Sequence, residues 1–214
     1  MDESALGGAP APGSGTLRRM LQAVSRIFNP LYLTPPAMLA ICLRVAPDFA
    51  SGLLWFLIYI FFSTVIPLAD LGWRRSTGRI SDWHISRREE RPVPLLFGLA
   101  YALLGTLAML LLQAPRELAA CMVTGLATGA AALAITLGWK ISLHTMGNSL
   151  LATLLLLVFR TGWAHPLPWS LAGLVALTGI SRVYLRQHTA IQVAAGALTG
   201  VATGTAVFAA FGLL

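Results

Sequence analysis

Seven apolar stretches, most of them close to the length of a bilayer-spanning helix, constrain this chain more than any other feature. They cover about 31–46, 52–69, 93–113, 118–137, 142–159, 168–185 and 189–213. About 20 helical residues cross the ~30 Å hydrocarbon core of a membrane. In lipid, backbone polar groups must be satisfied inside the segment, which selects helices. The short alternating strands of a β-barrel are not seen in the sequence. The expected fold class is all-α, a polytopic membrane helix bundle of six or seven transmembrane helices. The first stretch contains Pro35, Pro36 and Arg44 and is the weakest of the seven. Composition points the same way: 57% of residues are hydrophobic and 11% charged, against about 25% charged in a soluble domain. A water-soluble domain is excluded, and so is a disordered chain, which needs few apolar residues and many charges.

Three regions follow. Residues 1–15, rich in Gly, Ala, Pro and Ser, form an expected flexible tail without the basic start and apolar run of a secretory signal. Residues 16–28 place Leu17, Met20, Leu21, Val24, Ile27 and Phe28 at helical spacing with Arg18, Arg19 and Arg26 between them. This is the pattern of an amphipathic helix lying on a membrane surface. Residues 29–214 form the transmembrane domain. Cys42 and Cys121 are too few for a disulfide framework and lack zinc-site spacing. The Gly125/Gly129 and Gly196/Gly200/Gly204 repeats sit inside helical stretches with no strand before them. They are expected to be packing faces, not a phosphate loop.

The formal net charge is +7. In a membrane protein this describes loops facing anionic lipid or an anionic substrate, not nucleic acid. If all seven stretches cross, the polar segment 70–92 and the turns at 138–141 and 186–188 open on one side, joined there by the N-terminal helix. Twelve of the 15 Lys and Arg residues then lie on that side, and only Arg44, Arg116 and Arg160 on the other. The positive-inside rule assigns the crowded side to the cytoplasm. Trp73, Trp83 and Trp139 would belt this face, and Trp163 and Trp169 the opposite one.

Three of the four histidines share the crowded face. His84 has Arg87, Arg88 and Arg91 near it in sequence, His144 has Lys140 and Ser142, and His188 has Ser181 and Arg182. Cations, hydroxyls and helix N-terminal amides together suit a tetrahedral anion. Two histidines beside such an anion suit a nucleophile and a general acid. His144 and Asn148 are four apart, as are His188 and Gln192, so each pair shares a helix face, and Gln192 is placed to hold the His188 ring in one tautomer. Taken singly, a histidine at an interface or an Arg-rich loop has a plainer reading as a cap or a topogenic face. Convergence from three separate segments raises the chemical reading above it. A transporter is the alternative from another class. It is disfavoured because such proteins carry ionisable residues at mid-membrane, whereas here the deeper charges are few.

These residues resemble the type-2 phosphatidic acid phosphatase superfamily. Ser181-Arg182, five residues, His188 and then Gln192 look like its third signature (Ser-Arg, five residues, His, three residues, Asp). Lys140-Ile-Ser142-Leu-His144 is similar to the second (Pro-Ser-Gly-His). Arg91-Pro92 matches the end of the first (Lys, six residues, Arg-Pro), with His84 at the Lys position. The resemblance covers about residues 70–205 and looks closest to the dolichyl-diphosphatase and polyprenyl-phosphatase branch. It implies an integral-membrane lipid phosphate or diphosphate phosphatase that uses no metal or other cofactor. His188 would be the nucleophile and His144 the general acid. Arg182, Arg91, Lys140, Ser142 and Ser181 would bind the phosphoryl oxygens, with Arg88, or else Arg87, standing in for the missing Lys. A phosphatidate phosphatase and a non-catalytic lipid-phosphate binder remain alternatives. Gln192 replaces an Asp, so Asp82 and Asp70 are the candidates to supply the missing charge.

Overall fold

The computed structural model describes residues 14–214 apart from residues 84 and 86. Helices make up nearly all of it, with no strand among the described residues. They are α1 (Ser14–Ile27), α2 (Pro30–Val45), α3 (Phe49–Ile60), α4 (Ile66–Ser76), α5 (Pro92–Leu111), α6 (Arg116–Gly138), α7 (Leu143–Phe159), α8 (Pro166–Tyr184) and α9 (Ala190–Ala210). A π-helical turn, Phe61–Val65, joins α3 to α4 in one 28-residue helix. Its cause lies one step further on: Pro67 has no N–H to give to the ladder. The register shifts there, so that Ile66 N–H bonds Phe61 O. Among the described residues four helices are long and apolar enough to cross a membrane: Phe49–Ser76, Pro92–Leu111, Arg116–Gly138 and Ala190–Ala210.

Each apolar stretch corresponds to one helical run, but boundaries differ in two informative places. The polar segment expected from residue 70 begins only after Ser76. Asp70 and Arg74 neutralise each other one helical turn apart at 2.8 Å, and the Arg74 guanidinium lies 4.5 Å from the centre of the Phe97 ring. The pair lets α4 carry a charge while packed against α5. The second place is α2, which runs unbroken through Pro35 and Pro36. Asn29 caps its start, and packing against α3 and α7 holds it.

The helices run between two ends of the bundle. Arg160 donates to Leu213 O at one end, where Gly212 also approaches Arg116. Arg91, Lys140, Arg182 and His188 gather at the other. The tightest seam is α7 against α9. A Cβ at Gly196 would lie 2.6 Å from Ser142 O, and one at Gly204 2.8 Å from Thr153 Cγ2. At Gly200 it would run into Ser149 Oγ and the Met146 carbonyl. The α9 glycines are therefore a packing face, as expected. The α6 pair divides: a Cβ at Gly129 would lie 3.0 Å from Leu99 Cδ2 of α5, whereas Gly125 has open space and lines an apolar cavity of about 310 Å³.

Candidate functional site

His188 owes its position to the way α8 ends. Arg186 adopts the left-handed conformation (φ 54°). Gln187 N–H then reaches back to Arg182 O at 3.0 Å and Arg186 N–H to Val183 O at 2.9 Å. This is the Schellman closure, which uses the last carbonyls of a helix to fold the chain back on it. His188 N–H also points to Arg182 O, at 3.3 Å. The six-residue spacing from Arg182 to His188 is thus the length of this hook. Thr189 follows as the N-cap of α9 and forms a capping box with Gln192.

The capping box decides the chemistry of the imidazole. Thr189 N–H donates to Gln192 Oε1 at 3.2 Å, so the oxygen of the amide is the atom on that side. The same oxygen lies 3.1 Å from His188 Nδ1. An amide oxygen only accepts, so Nδ1 carries the proton and Nε2 keeps its lone pair. Burial, and then the Arg182, Lys140 and Arg91 charges, push the His188 pKa down to about 4. The ring is therefore neutral at pH 7, with Nε2 unprotonated and the charges of three cations acting on it.

Those cations come from three elements. Arg91 precedes α5, and its Nε donates to Ile85 O at 2.8 Å and its Nη1 to Ile141 O at 3.4 Å. Ile85 turns its carbonyl this way from a left-handed backbone (φ 45°), rare for a β-branched residue. Lys140, half-buried, sits between α6 and α7. Arg182 is in the last turn of α8 and donates through Nη1 to Ser25 Oγ at 3.0 Å; its Nε is buried with no partner among the described residues. Arg91 and Arg182 are only 4% and 8% exposed. Desolvation lowers the Arg91 pKa, opposed by the Asp82 and Glu89 carboxylates. Keeping two guanidinium groups out of water is costly unless an opposite charge joins them.

Ser142 caps α7, accepting from Thr145 N–H, and its hydroxyl is 2.9 Å from that of Thr145. Its backbone N–H bonds Gln192 O at 3.3 Å, so the first turns of α7 and α9 are stitched together. His144 lies in that first turn of α7, half-buried. Ser181 is fully buried and donates to Thr178 O at 2.8 Å. The N-termini of α5, α7 and α9 meet at this end, adding their partial positive charge.

Of the expected residues, Arg91, Lys140 and Arg182 act electrostatically on His188, while Ser142 and Gln192 adjoin through the backbone bond. His84 lies outside the described residues, as does the side chain of Arg88, whose backbone forms a 3₁₀ turn with Glu89 and Glu90. Arg87 is 72% exposed and lies 3.7 Å from Glu90. Asp70 is not the compensating acid, because Arg74 holds it. Asp82 acts on Arg91 instead. Two residues are added. Asn148, fully buried, donates to Phe28 O at 2.8 Å and to Thr178 Oγ1 at 2.9 Å. Its place one turn after His144 was the available signal. Ser25 had none, being 157 residues from its partner Arg182.

No family model, curated protein or solved structure matches this chain.

Proposed function

We propose that this protein is a multi-pass membrane phosphatase of lipid phosphates or diphosphates, with isoprenoid substrates preferred to phosphatidate. The observation that carries the reading is the His188 imidazole, its Nδ1 held by Gln192 and its charge suppressed by burial and by the Arg182, Lys140 and Arg91 cations. A dianionic phosphoryl group supplies the charge that the two buried guanidinium groups lack. His188 Nε2 attacks phosphorus as the bond to the leaving oxygen breaks, and protonated His144 gives its proton to that oxygen. Neutral His144 then takes a proton from water as the water oxygen attacks the phosphohistidine. Inorganic phosphate leaves and His188 is restored. The cations offset charge on the equatorial oxygens throughout.

An apolar groove of about 620 Å³ supports a lipid substrate. It begins at Thr145 and Ala190, beside the site, and runs between α8 and α9 past Val183 and Gly179. A second groove, sharing Val175, Ala176 and Ala197 with the first, extends it toward Trp163. Each buried methylene contributes about 0.8 kcal/mol, so a long tail stays in the bilayer while its head reaches the helix ends. In this reading α2 to α9 make seven crossings, α1 lies in the interface as an amphipathic helix, and the site faces the cytoplasm, as the arginine distribution favours.

The test is phosphate release from a prenyl diphosphate in detergent without added metal. His188→Ala is expected to lose at least several hundredfold in kcat, the scale of a lost nucleophile. His144→Ala is expected to lose less on a substrate with an activated leaving group. Equal rates for wild type and His188→Ala remove the mechanism. Tight lipid-phosphate binding with no turnover over a panel of lipids replaces it with a binding protein.

A further inference from the structure

We infer that Ser25, carried by the N-terminal helix, is a phosphoryl-binding residue and completes the anion site around Arg182. This rests on the anion site proposed above and extends it to a segment outside the part of the chain that carries the family resemblance. Ser25 is 7% exposed, and its Oγ accepts from Arg182 Nη1 at 3.0 Å. Most hydroxyls inside the helices of this protein donate back to a carbonyl one turn earlier: Thr124 to Ala120, Thr153 to Ser149, Ser181 to Thr178. Among the described residues Ser25 makes no such bond, so its proton is left for another acceptor. The neighbouring Arg182 Nε is likewise buried without a partner. Two unspent donors on adjacent buried groups, one charged and one neutral, define a place for two oxygens of one phosphate.

The helix is held there on two points. Leu21, one turn before Ser25, is buried, and Asn148 grips Phe28 O at the end of the same helix. Arg18, Arg19 and Arg26 are exposed, so the basic face of α1 is turned from the site and only the hydroxyl enters it. Ser25 thus adds a donor to a set in which His84 stands at the Lys position of the first signature.

Binding of inorganic phosphate to the full-length protein in detergent tests this apart from turnover. Ser25→Ala is expected to weaken phosphate binding about tenfold, the effect of one hydrogen bond to a charged group. Ser25→Thr is expected to stay within about twofold of wild type, since it restores the hydroxyl. Met20→Ala, on the exposed side of α1, serves as a control that leaves binding unchanged. Equal affinities for wild type and Ser25→Ala overturn the inference and leave the anion site standing. Loss of binding in Ser25→Thr equal to that in Ser25→Ala, or a large fall in melting temperature in Ser25→Ala, assigns Ser25 to packing and overturns it as well. Phosphate binding by wild type without phosphatase activity refutes the enzyme and leaves Ser25 in place, whereas no phosphate binding by wild type ends both.

Discussion

Gln192→Glu separates the two services an acid would perform at this position, orientation and charge. Gln and Glu side chains are equally long, and Glu is at home in a capping box. The substituted oxygen therefore keeps both Thr189 N–H and His188 Nδ1, now at 3.2 and 3.1 Å. What changes is one negative charge beside an imidazole whose pKa now sits at about 4. At ~4 Å and an effective dielectric of about 20 that charge is worth ~4 kcal/mol, roughly three pKa units at the upper bound. Arg182, Lys140 and Arg91 compete for the same carboxylate, which lowers the gain. A rise of about 1–2 units is expected, within the usual range for a carboxylate neighbour. In the proposed mechanism His188 attacks only unprotonated, so the rate falls as pH drops through its pKa, and the acid limb of kcat/KM moves upward by that amount. KM rises too, since like charge now faces the phosphoryl group. The assay is phosphate release from one prenyl diphosphate from about pH 3.5 to 8. Substrate ionisation is common to both proteins and cancels in the comparison. Coincident acid limbs, or a wild-type limb at the ordinary histidine value near 6.5, refute the reasoning.

The same depressed pKa has a stability consequence. Between the ordinary histidine pKa and about 4 the unfolded chain binds more protons at His188 than the folded one, so stability falls as pH drops through that window. Thermal unfolding in detergent is expected to show this in wild type and less of it in Gln192→Glu. Asn148→Ala strips the amide donor from Phe28 O and Thr178 Oγ1 inside the bundle. The expected loss is ~2 kcal/mol, read as a lower melting temperature. Gly200→Val drives a side chain into Ser149 and the Met146 carbonyl, costing up to ~3 kcal/mol, while Gly125→Ala, which meets open space, is neutral or stabilising. In a background without Cys42 and Cys121, an Arg87→Cys thiol is expected to react with an impermeant maleimide only after intact cells are opened. Labelling of sealed cells reverses the topology.

What the sequence made legible follows from periodicity and from short spacings. Helical runs are local, so the apolar stretches marked them. The Arg182–His188 hook and the His188–Gln192 pair are local as well, six and four residues apart, and their geometry is that of a helix end and a first turn. The glycines of α9 were readable because three at one spacing make a face. The misses are non-local or compensated. The end of α4 passed for loop because Asp70 and Arg74 look polar one at a time and cancel as a pair. Asp70 was a plausible partner for His188 until the structure committed it to Arg74. Gly125 has the same spacing as its neighbours, yet nothing comes near it, because which face of α6 is covered depends on α5. Ser25 is one serine in the N-terminal helix, and nothing short of the folded arrangement connects it to Arg182.

The α7–α9 seam has a mechanical meaning. Where main chain rests on main chain, no long side chains are interposed that can change rotamer and let one rod slide on the other. His144 and His188 are mounted at the same end of these two rods, so the spacing of the two helix starts that carry them is a fixed dimension of the scaffold.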